Sequence, residues 1–113
     1  MRFLEESEHE HDEHVSSFVF RSDRPFDGVK LEEFLSGLTQ VYGNDMLRYK
    51  GVLSLKDNPR RVVFQGVHMM MGGDMGKPWT KADKKGSVLV FIGKKLPKDL
   101  FIAGLEECLA KQG

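Results

Sequence analysis

Residues 46–55 read MLRYKGVLSL, and the hydrophobicity of their side chains alternates with a period of two. Because a β-strand places successive side chains on opposite faces, this stretch predicts a strand with one buried and one solvent-exposed face. The predicted buried set is Leu47, Tyr49, Gly51, Leu53 and Leu55, and the predicted exposed set is Arg48, Lys50, Val52, Ser54 and Lys56. We expect Arg48 and Lys50 to face solvent or a partner protein from the outer side of a sheet.

A turn and a second strand follow directly. Residues 57–60 read DNPR, which is typical of a turn, and residues 61–70 read RVVFQGVHMM, again with the composition of a strand. A four-residue turn sets Gly51 opposite Gly66. Two facing glycines would leave a gap on the buried face, where a side chain from a packing helix approaches closely.

The flanking segments predict a first strand and two helices. Residues 15–22 alternate around Phe18 and Phe20 as a short strand. Apolar residues recur with a helical period over 31–42, after Asp27 as the N-cap residue. Pro97 begins a second helix. The apolar stripe of that helix is Phe101, Leu105, Cys108 and Leu109.

Residues 71–86 read MGGDMGKPWTKADKKG, and this glycine-rich segment is predicted to be a long loop. Loops of that length are uncommon and often functional. Residues 87–93, SVLVFIG, form a further strand, which makes the element order β-α-β-β-β-α. We therefore predict an α+β fold, a two-layer sandwich in which a largely antiparallel sheet of about four strands carries two helices on one face.

Length and composition limit the class of protein. The chain has 113 residues, 40% of them hydrophobic, which suits one domain with a small core. A single cysteine excludes an internal disulfide framework, and the N-terminus does not read as a secretory signal. Apolar runs such as residues 88–92 are far shorter than the roughly 20 residues of a membrane helix. We expect a cytoplasmic protein without a membrane partner.

The N-terminal segment differs from the rest of the chain in charge. Residues 1–14 hold six acids and one base, whereas the remainder holds 16 bases and 11 acids. Residues 5–14, EESEHEHDEH, contain no apolar residue, so residues 1–14 are interpreted as a solvated linker that precedes a domain of residues 15–113. The bases of the domain are scattered and match no nucleic-acid-binding pattern, so we expect no nucleic-acid partner.

Three histidines of this linker, His9, His11 and His14, lie among its carboxylates. Imidazole nitrogen and carboxylate oxygen both bind zinc and chemically similar divalent ions. The spacing is short and no regular structure orients the ligands, so metal binding here would be weak and exchangeable. The alternative interpretation is an acidic linker that makes no specific metal contact.

The other candidate residues are interpreted as core or interface residues and not as catalytic ones. His68, beside Tyr49 in the predicted register, is interpreted as a core or interface histidine that hydrogen-bonds a neighbour. Cys108 is expected to be a buried, inert thiol. Trp79 is expected either to cover the edge of the sheet or to anchor an interface. Because no serine or cysteine has the sequence context of an activated nucleophile, we assign no catalytic residue.

Two further motifs are excluded as binding sites. Residues 72–77, GGDMGK, have the wrong spacing for a phosphate loop, are followed by Pro78 and precede no predicted helix. The methionines at 69–71 and at 75 are interpreted as gap-filling side chains or as an adaptable contact surface, in preference to a Cu(I) site.

Taken together, several strings of the sequence form a specific series. They are VSSFVFRSDRPFD at 15–27, MLRYKGVLSL at 46–55, RRVVFQGVHMMMGG at 60–73, GKPW at 76–79 and SVLVFIGKKL at 87–96. In this order they resemble the C-terminal domain of the CobW family, the GTP-dependent metal chaperones that include a cobalamin-synthesis protein. The resemblance extends from His9 to the end of the chain.

The resemblance implies a non-catalytic accessory domain. In the family, GTP hydrolysis belongs to an N-terminal domain with a Walker A loop and a CxCC motif, and neither motif occurs in these 113 residues. This chain is therefore expected to bind no GTP and to catalyse no reaction by itself. The implied partners are that GTPase domain and a client metalloprotein, and the implied cargo is zinc, cobalt or a similar divalent ion.

Two functional hypotheses remain. In the first, the domain serves such a chaperone, gathers metal through His9, His11 and His14, and contacts its partners through other side chains. In the second, it is a plain protein-interaction module without a metal role. The residues assigned to partner contact are His68, Trp79, Arg48 and Lys50.

Overall fold

A computed structural model describes residues 15–111. In chain order its elements are β1 (Val15–Ser22), α1 (Gly28–Tyr42), a 3-10 turn (Gly43–Asp45), β2 (Met46–Leu53), β3 (Arg60–Val67), β4 (Met70–Pro78), β5 (Ser87–Lys94) and α2 (Lys98–Glu107). The strands form one antiparallel sheet in the order β1-β5-β2-β3-β4. The predicted α+β sandwich is confirmed, with five strands where about four were expected. The predicted linker, residues 1–14, lies outside the described residues.

The core forms between the helices and the central strand β5. Leu89 and Phe91 of β5 are fully buried. The Phe91 ring stacks on Phe18 of β1, with 5.4 Å between centroids, and meets Phe101 of α2 edge-on at 5.2 Å. Such aromatic pairs contribute about 0.5–1.5 kcal/mol each beyond the area that they bury. This cluster of three rings fixes α2 against the sheet.

Both helices begin where the sequence predicts. Asp27 caps α1, because its carboxylate accepts hydrogen bonds from the N–H groups of Val29 and Lys30 at 3.1 and 3.2 Å. Pro97 directly precedes α2. The predicted apolar stripes face the core except at Val41, which is 72% exposed. Their buried members are Leu31, Leu35, Leu38, Phe101, Leu105, Cys108 and Leu109.

The pairing of β2 with β3 differs from the predicted register by two residues. Tyr49 lies opposite Gly66, and Gly51 lies opposite Phe64, so the two glycines do not face each other. Over the paired residues 49–53, a shift of two leaves each side chain on its predicted face, which is why the burial pattern did not distinguish the two registers. Each glycine still permits a close approach. The Tyr49 ring covers Gly66, and the backbone at Leu89 lies against Gly51.

The reason for the shift lies in the connection between the two strands. Beyond Leu53 the chain pairs with a different partner, since the Ser54 carbonyl accepts from the Phe26 N–H and the Lys56 N–H donates to the Phe26 carbonyl, both at 2.8 Å. The Ser54 N–H donates to Ser87 Oγ at 2.8 Å. The connection is therefore longer than a four-residue turn. Ser54, Leu55 and Lys56 lie in this connection. Ser54 was predicted to be exposed and is only 4% exposed, so that prediction is wrong; Leu55, predicted buried, is half-buried, and Lys56 is exposed as predicted.

The start of β2 corrects a second expectation. The pairing of β2 with β5 shifts between Met46 and Arg48, which marks a β-bulge. Met46 is consequently 1% exposed, whereas Leu47, predicted in the buried set, is only half-buried. The bulge restores the predicted alternation from Arg48 onward, so that Arg48 is exposed and Tyr49 buried.

The third correction concerns the predicted loop at residues 71–86. Its first half is strand β4, which pairs with β3. The pairing begins with Val67 opposite Met70 and ends with Arg60 opposite Pro78. His68 and Met69 form the two-residue turn between these strands, and His68 adopts the positive φ of 54° that such turns require. Glycine is depleted in strands, so the glycines of this segment hid its pairing from sequence reasoning. β4 is the strand that the prediction lacked.

Candidate interaction surface

The described helices cover one face of the sheet and leave the other without a helical layer. We call the uncovered side the outer sheet face. It carries Arg48 and Lys50 on β2, paired with Ile92 and Val90 of β5. Both basic residues are exposed, as the sequence predicts, and the neighbouring Ile92 and Val90 are half-buried.

Branched apolar side chains surround these two bases. Three valines form a row across the sheet, because Val52 of β2 is paired with Val88 of β5 on one side and with Val63 of β3 on the other. Val52 is 36% exposed and Val63 40% exposed, although both belong to regular strands. The outer sheet face thus combines accessible apolar area with positive charge, a composition that suits contact with another protein surface.

Trp79 lies immediately after β4 and is half-buried, and its backbone N–H donates to the Pro59 carbonyl at 2.9 Å. The Arg61 guanidinium lies 4.5 Å from the centre of the indole ring, a cation–π contact. Arg61 Nη2 also donates to Asp83 Oδ2 at 2.9 Å. Hydrogen bonds from the Thr80 N–H and hydroxyl, together with the charge of Arg61, hold the pKa of Asp83 below its usual value. The cluster of Trp79, Arg61, Asp83 and Thr80 orders the segment after β4, and nothing in the sequence pattern identifies it.

His68 occupies the turn between β3 and β4 with an exposed side chain, so the predicted strand position and the core alternative are wrong, and the interface alternative stays a prediction. Its N–H donates to the Met46 carbonyl at 2.8 Å, and its Nδ1 lies 3.2 Å from the Asn44 carbonyl oxygen. The predicted proximity to Tyr49 does exist, because the Tyr49 hydroxyl donates to the His68 carbonyl at 2.8 Å. Burial raises the pKa of that hydroxyl. His68 is thus tied to the start of β2 through its backbone.

A second surface feature is a groove between α1 and the β3–β4 hairpin, which we call the hairpin groove. It has a volume of about 460 Å³. Leu35 of α1, Phe64 of β3 and Met71 of β4 line it, and Gly73 leaves one side open. Sequence reasoning missed the groove because it placed residues 71–86 in a loop. The adjacent glycines Gly72 and Gly73 are the feature of the sequence that could have indicated the groove.

The predicted metal ligands His9, His11 and His14 lie outside the described residues. Within residues 15–111, no three histidine, cysteine, aspartate or glutamate side chains converge as metal ligands do. Cys108 is buried as predicted, and its burial raises the pKa of the thiol. In the part of the chain that the structure covers, neither helix has the length and apolar character needed to cross a membrane.

The fold and its surfaces define an α+β domain that exposes a partly apolar, basic sheet face and holds its only thiol in the core. Residues 15–109 match the family described as "Cobalamin synthesis protein cobW C-terminal domain". The chain therefore belongs to this family, as its motif series predicts.

Individual relatives agree with this assignment. The chain is 35% identical over 85 residues to "Zinc chaperone YjiA" of Escherichia coli (strain K12), a match that covers 75% of this chain and 26% of the relative. It is 31% identical over 86 residues to "Zinc chaperone CobW" of a Sinorhizobium species, covering 76% of this chain and 23% of the relative. The matched segment thus spans about a quarter of each relative.

Solved structures show the same fold. The crystal structure of Zn(II)-bound YjiA GTPase from E. coli matches with a TM-score of 0.82 and 32% sequence identity. The match covers 86% of this chain and 30% of that one. A Zn(II)-bound triple mutant of YjiA GTPase matches with the same TM-score of 0.82. The two-layer arrangement described above is therefore the one found in this family.

Proposed function

We propose that this chain is the accessory domain of a GTP-dependent metal chaperone of the cytoplasm, where it contacts the GTP-binding domain or a client metalloprotein. One observation carries the proposal: residues 15–109 match the CobW C-terminal domain, and the relatives that share this segment are named zinc chaperones. The matched segment is 26% and 23% of those relatives, so GTP hydrolysis is assigned to a region outside this chain.

The outer sheet face is the proposed contact surface. Arg48 and Lys50 stand on it with exposed side chains, beside Val52 and Val63, which remain more than a third exposed. An arginine and accessible apolar residues are common at protein interfaces, and the positive charge favours an acidic partner surface. Trp79 and His68 lie at opposite ends of the β3–β4 hairpin, and we assign them to the margin of the contact.

The proposed cargo is zinc, cobalt or a similar divalent ion. Relatives named zinc chaperones support this cargo, and His9, His11 and His14 supply imidazole ligands among six carboxylates of residues 1–14. Ligands so close in sequence bind weakly and release readily, which is the property that a delivery step requires. Binding of GTP in the other domain would alter the affinity of this chain for metal or client only if the contacts between the two domains differ between the GTP-bound and GDP-bound states.

A chimera tests the contact surface. The GTP-binding part of E. coli YjiA is joined to this chain, and each lysine is acetylated with acetic anhydride and quantified by mass spectrometry. We expect Lys50 to react several-fold more slowly in the chimera than in the isolated chain, and the protection to change between GDP and a non-hydrolysable GTP analogue. Lys30, exposed on α1 on the opposite side of the sheet, serves as the matched control and should react equally in both. Equal reactivity of Lys50 in every state contradicts the proposed surface.

A zinc titration tests the cargo. Stoichiometric zinc added to the full chain should shift the NMR signals of His9, His11 and His14 selectively, and replacing all three by asparagine should abolish zinc binding. His68→Asn is the matched control, because that exposed histidine stands alone at its turn. If zinc moves no signal selectively, the domain is a plain interaction module, which is the second candidate function.

A further inference from the structure

Strand β4 forms one end of the sheet, and β3 is its sole strand neighbour among residues 15–111. In a two-residue hairpin the pair that flanks the turn exchanges both backbone hydrogen bonds, which here is Val67 with Met70. The hydrogen-bonded positions then alternate along β4. Met71 and Gly73 therefore direct their N–H and C=O groups away from β3, towards the free edge of the sheet.

Natural proteins protect such edges with charges, proline or bulges. The second half of β4 has all three: Asp74 is charged, Pro78 ends the strand, and the pairing shifts between Arg60 and Val62. The first half, residues 70–73, has none of them. An unprotected edge of this kind is a template for an additional strand.

The hairpin groove lies on the helix side of the same edge. Cross-strand neighbours share a face, so a strand paired to β4 beside Met71 and Gly73 would direct alternate side chains into the groove. Gly73 leaves room beside this path, since a Cβ atom built there meets nothing closer than 3.5 Å. The apolar wall includes Leu35 and Phe64, and Glu32 is the charged residue of the lining.

From these observations we propose that the edge of β4 at residues 70–73 binds an extended peptide segment of a partner protein by strand addition. The segment carries apolar residues at alternate positions, which enter the hairpin groove, and a basic residue that meets Glu32. Main-chain hydrogen bonds to Met71 and Gly73 hold it. This site is separate from the outer sheet face, so it stands independently of the proposed function.

The probe is a fluorescein-labelled, acetylated octapeptide that alternates valine with threonine and carries one lysine, measured by fluorescence anisotropy with the full chain. We expect saturable binding and at least about tenfold weaker binding to Gly73→Pro, which removes one edge donor and crowds the edge. Gly73→Ala keeps that donor and fits the space, so it should bind within about twofold of the parent. Equal binding to Gly73→Pro and Gly73→Ala overturns the proposal.

A second measurement does not depend on the folding of a variant. The same octapeptide, N-methylated at alternate residues on its pairing side, keeps its side chains and loses its main-chain donors. The parent chain should bind it at least about tenfold more weakly. Equal affinity for the methylated peptide also overturns strand addition. A concentration-dependent dimer, seen by analytical ultracentrifugation and lost in Gly73→Pro, with no peptide binding, assigns the edge to a second copy and likewise overturns the proposal.

Discussion

Replacing Gly66 by alanine probes the packing between β2 and β3 most directly. Gly66 lies opposite Tyr49, whose ring covers it so closely that a Cβ atom would overlap the ring carbons and hydroxyl. Tyr49 is 1% exposed and its hydroxyl donates to the His68 carbonyl at 2.8 Å, so displacement of the ring would disturb buried packing and weaken this hydrogen bond.

The magnitude follows from three contributions. Overpacking of a filled core destabilises by about 1–3 kcal/mol. Displacement of the Tyr49 hydroxyl weakens a hydrogen bond that contributes about 0.5–1.5 kcal/mol. Alanine in place of glycine restores about 0.5–1 kcal/mol, because the unfolded chain has less conformational freedom to lose. We therefore expect Gly66→Ala to lower the free energy of unfolding by about 2–3 kcal/mol.

Gly72→Ala is the matched control. Gly72 belongs to the same hairpin, and a Cβ atom built there has nothing within 4 Å. The same substitution at this position should leave the free energy of unfolding within about 0.5 kcal/mol of the parent, or raise it slightly.

Urea unfolding, followed by the fluorescence of the single tryptophan, measures both variants. Trp79 reports on the hairpin because its ring lies under the Arg61 guanidinium in the folded state. With a urea m-value of about 1.3 kcal/mol per M, the expected loss moves the midpoint by about 2 M. If Gly66→Ala lowers the midpoint no more than Gly72→Ala does, the close contact between Tyr49 and Gly66 is refuted. In a Tyr49→Leu background the effect of Gly66→Ala should fall below about 1 kcal/mol.

Three other expectations follow from buried and titrating groups. Ser87→Ala leaves the buried Ser54 N–H without its acceptor and should lower the free energy of unfolding by about 1–3 kcal/mol. Ser17→Ala, at an exposed serine of β1, is the control and should change it by less than about 0.5 kcal/mol. The pKa of Asp83 is lowered chiefly by hydrogen bonds from Thr80. The ionised carboxylate therefore contributes its full stabilisation above pH 3.8, the usual pKa of this group, and the contribution is lost as the pH falls through the lower pKa of the folded state. An NMR titration of Asp83 that gives the usual pKa contradicts this. Cys108, buried and with a raised pKa, should react with a disulfide reagent at pH 8 orders of magnitude more slowly in the folded chain than in urea, and comparable rates contradict its burial.

Sequence reasoning predicted the elements whose periodicity reflects a single buried face. The stripe of α1, the Asp27 cap and the alternation around Tyr49 are all of this kind, since burial of one face determines which residues must be apolar. The register of β2 against β3 is different. It depends on Ser54 and Lys56 hydrogen-bonding Phe26, contacts between residues about thirty positions apart that no local pattern records.

Among the candidate site residues, too, those whose exposure follows from a local pattern were predicted correctly, and His68 was not. The exposed positions of Arg48 and Lys50 follow from alternation and were predicted correctly. His68 was misplaced because a two-residue turn ends β3 at Val67, three positions before the predicted end of the strand at Met70. The hairpin groove was missed because Gly72 and Gly73 lower strand propensity while β3 and the turn still hold them in the sheet.

The sheet order has a consequence for how the chain acquires its structure during synthesis. β1 is made first, yet its strand neighbour is β5, whose residues are translated more than sixty positions later. The β2–β3–β4 meander can form as soon as it leaves the ribosome, whereas β1 must wait without a sheet partner for several seconds at ordinary elongation rates. Insertion of β5 between β1 and β2 is therefore the step that closes the sheet, and its long-range pairing makes that step the slow one.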